Sequence, residues 1–299
     1  MSFFNVLKTI FLLLIMINFA PPLIKNIKKQ YQAYLEPKTQ VGVLPIKGMI
    51  VDSSYYVKQL NTFFKDPEIK AILLKVECPG SAAATAQAIH HEIHMLKKEH
   101  PKHVEVLVEN VCASGGYYIA SAADHITAPG TAIIGSIGAY MPYLFQLKDF
   151  IEQFKIHYEP IKAGTYKSAG DPFVPMTPQE RELLQEMTQD MYQQFVEDIA
   201  KTRGVSVADK EKWAEGKVFS ARQAQKIGLV DTLGSLHTAT ASIKEKALIE
   251  GDIEWVYAPQ PYNWTNIFKS EDDTQESLMS HVTNALCAQI ETRYSNKVY

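Results

Sequence analysis

The sequence predicts an α/β fold with crossover connections. Three observations carry that expectation. Apolar runs short enough for buried strands recur at residues 41–51, 69–76 and 103–109. Longer stretches with helical spacing, 53–65 and 82–99, separate them. Strand, loop and helix repeated in this way send the chain back across a sheet between neighbouring strands. The composition agrees: 299 residues, 46% hydrophobic and 21% charged, are those of an ordinary globular protein.

The N-terminal stretch stands apart from that pattern. Residues 9–24 carry no charge over 16 positions. As a helix they span roughly 24 Å at about 1.5 Å per residue, a little short of a ~30 Å hydrocarbon core. Phe3, Phe4 and Val6 extend the segment, and Lys8 can snorkel. A cleaved signal peptide is the rival reading. Pro21-Pro22 after Ala20, and Asn18 where a small residue belongs, make a poor cleavage junction. The expectation is one uncleaved transmembrane helix. Lys25, Lys28 and Lys29 follow it and Lys8 precedes it, so charge alone favours a cytoplasmic body. The expected organisation is an anchor with its basic flank over 1–30, a linker over 31–40, a globular domain over 41–250 and an extension over 251–299.

Within the globular domain each element has a local reason. Residues 41–51 read as one or two buried strands. Residues 53–65 form a helix with Val57, Leu60 and Phe64 on one face, and Asp66-Pro67 turns the chain. The strand 69–76 ends in the loop Cys78-Pro79-Gly80-Ser81. After the helix 82–99, the strand 103–109 runs into Ala113-Ser114-Gly115-Gly116, and residues 117–123 suit a helix. Residues 124–128 read as a strand, 144–154 as a helix and 156–161 as a short strand. The loop 162–172 then holds Lys167 between Gly164 and Gly170. Thr177-Pro178 caps a long helix to 203, with Leu183, Leu184, Met187, Met191 and Phe195 as an apolar stripe. Residues 213–231 complete a compact unit, 235–247 form a last packed helix, and 276–291 a helix in the extension. There is no internal repeat.

Several function classes fall away at this level. A net charge of −3 gives no reason to expect nucleic acid. Three cysteines, Cys78, Cys112 and Cys287, do not make a disulfide scaffold. A zinc-protease helix needs His-Glu-x-x-His; His91-Glu92 would require a histidine at 95, which is Met95. His90 and His94 share a helix face without an evident third ligand, so His90, His91 and His94 read as a solvated face. No metal and no cofactor are expected. Ser114 is the candidate with chemistry. Two glycines after it allow a sharp strand-to-helix turn, which leaves its oxygen reachable beside free N–H groups. A nucleophile needs that geometry, although Ser-Gly-Gly is also an ordinary turn.

Five motifs in order decide between those readings. They are Lys70-Ala-Ile-Leu-Leu-Lys-Val-Glu-Cys-Pro-Gly80, Ala113-Ser-Gly-Gly-Tyr-Tyr-Ile-Ala120, Gly135-Ser-Ile-Gly138, Gly164-Thr-Tyr-Lys-Ser-Ala169 and Gly216-Lys-Val-Phe-Ser220 with Gly228-Leu-Val-Asp231. Together, over roughly residues 41–245, they resemble the protease IV or signal peptide peptidase A family, including its SohB-type short members. The resemblance implies a Clp-protease/crotonase-type spiral of β-β-α units and a serine endopeptidase. It matches Ser114 to the nucleophile and Lys167, 53 residues downstream, to the general base. One copy of the repeat implies a homo-oligomeric ring. The expected partners are peptide substrates and, through the anchor, membrane lipid. The expected place is the inner membrane, single-pass, with an extracytoplasmic body, against the charge signal.

The implied chemistry is coherent. A lysine activates a serine only when neutral, which takes a fall of roughly three units from a reference pKa near 10.4. The loop around Lys167 has no acid before Asp171. Backbone N–H groups of Gly115 and of Gly80 or Ser81 are the candidate oxyanion donors. Here the sequence departs from the family: Cys78-Pro-Gly-Ser81 replaces Ser-Pro-Gly-Gly. A serine at a position needing positive φ would cost ~1–2 kcal/mol. Lys217 also stands where the family more often has arginine. Two alternatives share the fold: a crotonase-type acyl-CoA enzyme, and an inactive membrane scaffold.

Overall fold

Strands β1 (Thr39–Ile50), β2 (Ile69–Ser81) and β3 (His103–Ala113) run side by side and parallel in the computed structural model, which describes residues 38–141 and 145–259. Their interiors are nearly unbroken apolar runs, with Val41, Val43, Leu44, Ile46, Ile72, Leu74 and Val106 fully buried. A parallel sheet covered on both faces requires that pattern. The helices that link the strands supply one cover. Helix α1 (Ser54–Lys65) buries Leu60, Phe63 and Phe64, and α2 (Ala83–Glu99) buries Ile89, Ile93 and Leu96.

The sheet forks at β3. The first half of β3 pairs with β4 (His125–Ala128), through Glu105 to Leu107. Its last residues, Val111 to Ala113, pair with β5 (Ile133–Gly135). The path runs β6 (Val218–Ser220), β5, β3, β2, β1, β8 (Ile253–Tyr257), with β4 beside β3 and β7 (Thr232–Leu233) beside β4. Among the described residues all pairings are parallel except that of β5 with β6. Strand β8 (Ile253–Tyr257) lies outside β1 and parallel to it. Short helix α3 (Gly115–Ala120) follows β3 directly. Then come α4 (Lys148–Gln153), α5 (Pro178–Arg203), α6 (Lys210–Trp213), α7 (Ala221–Lys226) and α8 (Leu236–Lys246). The expected α/β fold with crossovers is therefore present.

The core lies on both faces of the sheet. One cluster joins Leu44, Ile46 and Leu74 to α1, α2, α3 and α5. A smaller one packs Val43, Leu73 and Leu107 against Ala239 and Ile243 of α8. Glu105 of β3 is fully buried next to the second cluster. Its carboxylate accepts from Thr127 Oγ1 at 2.8 Å and Ser242 Oγ at 2.8 Å, and it pairs with His125 Nδ1 at 2.7 Å and His103 Nε2 at 3.1 Å. Burial opposes ionisation of Glu105, but the hydrogen bonds outweigh it and hold its carboxyl below the usual range. Glu105 in turn raises the His125 imidazole above its ordinary value.

Three expectations change. Residues 156–161 form no strand; they are exposed except for an intermediate Pro160. The apolar stripe of α5 is buried only toward its C-terminal half, at Tyr192, Phe195, Val196 and Ile199, while Leu183, Met187 and Met191 stay exposed. His90 does not lie on a solvated face; it is 2% exposed. Among the described residues no helix is long and apolar enough to cross a membrane. The expected anchor over residues 9–24 and the helix over 276–291 lie outside the described residues.

Candidate active site

Ser114 sits where β3 gives way to α3, with φ 51° and ψ −126°. A non-glycine residue in that region costs on the order of 1–3 kcal/mol, and it persists only where its surroundings hold it. Here they do. Ser114 N–H donates to Gly135 O at 2.8 Å, its carbonyl accepts from Tyr118 N–H at 3.0 Å, and its neighbours on both sides are buried. Tyr117, fully buried beneath the turn, donates its hydroxyl to Leu229 O at 2.8 Å. The result is a sharp strand-to-helix turn that presents a partly exposed hydroxyl, the geometry of a nucleophile elbow.

The end of β2 supplies the opposite wall. Gly115 and Gly116 are glycines because this wall is so close. A Cβ on Gly115 would lie 1.9 Å from Ser81 Oγ and 2.8 Å from Ser81 N. One on Gly116 would lie 2.6 Å from Cys78 O. Gly80 faces the serine itself: a Cβ there would sit 3.7 Å from Ser114 Oγ. Register shifts after Lys47 in β1 and after Val76 in β2 accompany this approach. Both Ser114 and the pair Gly80-Ser81 thus lie at carboxyl ends of parallel strands, where α/β sheets present ligand sites. Ser81 is not among the non-glycine residues with positive φ, so the strain that its replacement of glycine implied does not arise.

The chain therefore brings together Ser114, Gly115, Gly80 and Ser81. It does not bring Lys167 to them through a hydrogen bond. Lys167 lies on the exposed turn after Gly164, and its backbone N–H donates to Gly164 O at 3.2 Å. Among the described residues no hydrogen bond or ion pair holds its amine. The neighbouring Lys162 is held differently: its Nζ donates to Ser168 Oγ at 2.5 Å, and Ser168 donates to the buried Glu180 at 3.1 Å. Glu180 also closes the capping box on Thr177 that starts α5. The segment that carries Lys167 is anchored at this point while residues 161–167 all stay exposed.

Two residues near the serine escaped the sequence reading. Ser136, next to the carbonyl that binds Ser114 N–H, also has positive φ, 51°, and its N–H donates to Lys217 O at 2.7 Å. Met49 lies 3.7 Å from the Gly80 Cβ position, with its side chain largely exposed. The Gly135-Ser-Ile-Gly138 motif signals the first; nothing in the local pattern signals the second, because the bulge in β1 sets it. Cys78 and Cys112 are buried free thiols on facing strands. Burial pushes both thiols up, which leaves them poor nucleophiles beside the partly exposed serine.

Residues 96–250 match the family described as peptidase family S49. A protein of Methanocaldococcus jannaschii named as a protease is 37% identical over 216 residues, covering 72% of this chain and 68% of its own. The chloroplastic serine protease SPPA of Arabidopsis thaliana is 31% identical over 70% of this chain, which spans 30% of that protein. A protein of Enterococcus faecium named as a signal peptide peptidase of the SppA type is 30% identical over 66% of this chain and 57% of its own.

Proposed function

This chain belongs to peptidase family S49, and we propose that it is a membrane-anchored serine endopeptidase working through a Ser114/Lys167 dyad. Its substrates are signal peptides or other unfolded, apolar peptides. The observation that carries the reading is the strained turn at Ser114 with Gly115, Gly80 and Ser81 packed against it. In the reaction, the neutral Lys167 amine takes the Ser114 hydroxyl proton as Oγ attacks the scissile carbonyl. The backbone N–H groups of Gly115 and of Gly80 or Ser81 then face the developing oxyanion. The same proton passes to the leaving amine, and water repeats the cycle on the acyl-enzyme.

Homo-oligomeric assembly is part of this proposal. The faces around the Lys167 segment support it: Tyr140, Phe145, Phe150, Phe154, Ile156 and Ile161 are exposed, and so is the N-terminal half of the α5 stripe. That much apolar surface in one stretch is characteristic of a protein interface. In a closed ring of the Clp-protease/crotonase type, the Lys167 loop of one subunit reaches the Ser114 of the next. Anchoring by residues 9–24 to the inner membrane, with the body outside the cytoplasm, completes the reading, and protease accessibility on intact cells tests that side.

The chemical test is labelling. A fluorophosphonate probe is expected to modify the wild type and to leave Ser114→Ala untouched. Equal labelling of the two, or none of the wild type, overturns the assignment.

A further inference from the structure

His90 and His91 of α2 meet Asp198 of α5 beside Tyr118 of α3. One ligand-capable atom from each lies within 4.8 Å of the others. His91 Nε2 and Asp198 Oδ2 are 3.3 Å apart. A tetrahedral zinc site with bonds of about 2.0–2.1 Å has ligand separations of roughly 3.3 Å, so this pair already has the spacing. His90 is 2% exposed, yet neither of its ring nitrogens has a hydrogen-bond partner among the described residues. A buried polar group left this way costs roughly 1–3 kcal/mol. His94 shows the same at Nε2, and its ring meets that of His90 edge-on at 4.6 Å, a packing contact. The arrangement is costly as it stands and becomes intelligible once a ligand takes the imidazole lone pair.

Asp198 is already oriented for such a role. Tyr118 donates its hydroxyl to Asp198 Oδ2 at 2.5 Å and stacks on Phe195 at 4.4 Å. A hydrogen bond of this kind holds a metal-ligating carboxylate in place, and a carboxylate keeps further lone pairs free. We propose that His90, His91 and Asp198 bind a single divalent metal ion of the zinc class, with water completing the coordination. Two imidazoles and one carboxylate suit zinc, whereas hard ions such as calcium require oxygen ligands throughout. The ion clamps α2 to α5 across Tyr118, whose backbone N–H binds the Ser114 carbonyl. Its role is structural: it fixes the helices behind the nucleophile turn.

The test uses the tag-free full-length protein, stripped with chelator and titrated with zinc chloride. The expected result is one zinc ion per chain by calorimetry and elemental analysis, with a rise in Tm. His91 is 56% exposed at its side chain, so His91→Ala leaves the fold intact. His91→Ala and Asp198→Asn are each expected to weaken zinc binding at least about tenfold. His237→Ala, an exposed histidine on α8, is expected to change nothing. No stoichiometric uptake by the wild type overturns the proposal. So does wild-type affinity in either cluster variant, or an equal loss in His237→Ala.

Discussion

Ser114 is reached from a buried strand and gripped on both sides, whereas Lys167 stands on a turn exposed over residues 161–167. The serine half has every feature of preorganisation: a strained backbone, close-packed glycines and buried neighbours. The lysine half has an anchor at Ser168 and Glu180 and no enclosure of its own. The difference teaches that the two halves obey different rules. The first is finished by folding of one chain; the second, on the proposed assembly, is finished by association of chains.

The largest effects test whether both halves belong to one site. Ser114→Ala and Lys167→Ala are each expected to lower kcat/KM for peptide hydrolysis by more than about 10³-fold, with the double variant little worse than either. Lys167→Arg is expected to be as inactive, since guanidinium does not deprotonate. Steady-state kinetics on a fluorogenic peptide decides; substantial activity in any of these variants separates the halves. Next comes the mixing of dead parents. Co-assembled Ser114→Ala and Lys167→Ala subunits are expected to recover about a quarter of wild-type activity, the random chance that an intact serine faces an intact lysine across a ring interface. If mass spectrometry shows mixed rings and they remain inactive, the site lies within one chain and the contrast between the halves is broken.

A third substitution probes the close packing of the serine half alone. Gly115→Ala drives a methyl into Ser81, and its backbone nitrogen at 2.8 Å has nowhere to move. The expected loss is about 10²–10³-fold in kcat, the worth of one oxyanion donor, with assembly unchanged by light scattering.

The smallest effect concerns the strand that carries Ser114. Glu105→Gln is expected to cost about 2–3 kcal/mol, because it weakens a buried, multiply bonded carboxylate. Its pH profile has a definite sign. Glu105 has a lowered pKa, so its contribution is present above the ordinary 4.5 and is lost as pH falls through the lower folded value. His125 has a raised pKa, so its contribution is complete below the ordinary 6.5 and is lost as pH rises through the higher folded value. The Tm gap between wild type and Glu105→Gln is therefore widest between pH 4.5 and 6.5. A gap that is constant from pH 3 to 9 contradicts the network described.

The same contrast marks what the sequence made legible. The strands leading to Ser114 and Gly80 are read easily, because burial on both faces writes itself as continuous apolar residues. The turn at Ser114 is legible through its two glycines. His90 was not legible: a helix with His90, His91 and His94 looks solvated until α5 packs over it with Asp198 and Phe195. Residues 156–161 carry a strand-like alternation that finds no partner in one chain. Leu183, Met187 and Met191 have core spacing and no core. The last two flank, in sequence, the exposed stretch 161–167. Ser81 failed in the opposite direction, since its departure from the family pattern implied strain that its extended backbone avoids.

The pairing of β8 with β1 bears on synthesis. Gln40 and Glu254 meet across that edge although 214 positions separate them. At about 5–20 residues per second, roughly 10 to 40 s pass on the ribosome between the emergence of one strand and its neighbour. Throughout that interval β1 offers an unpaired edge, with Val41 and Val43 beside it, to any extended chain nearby. The nascent protein therefore carries an open sheet edge at β1 until residues 253–257 arrive.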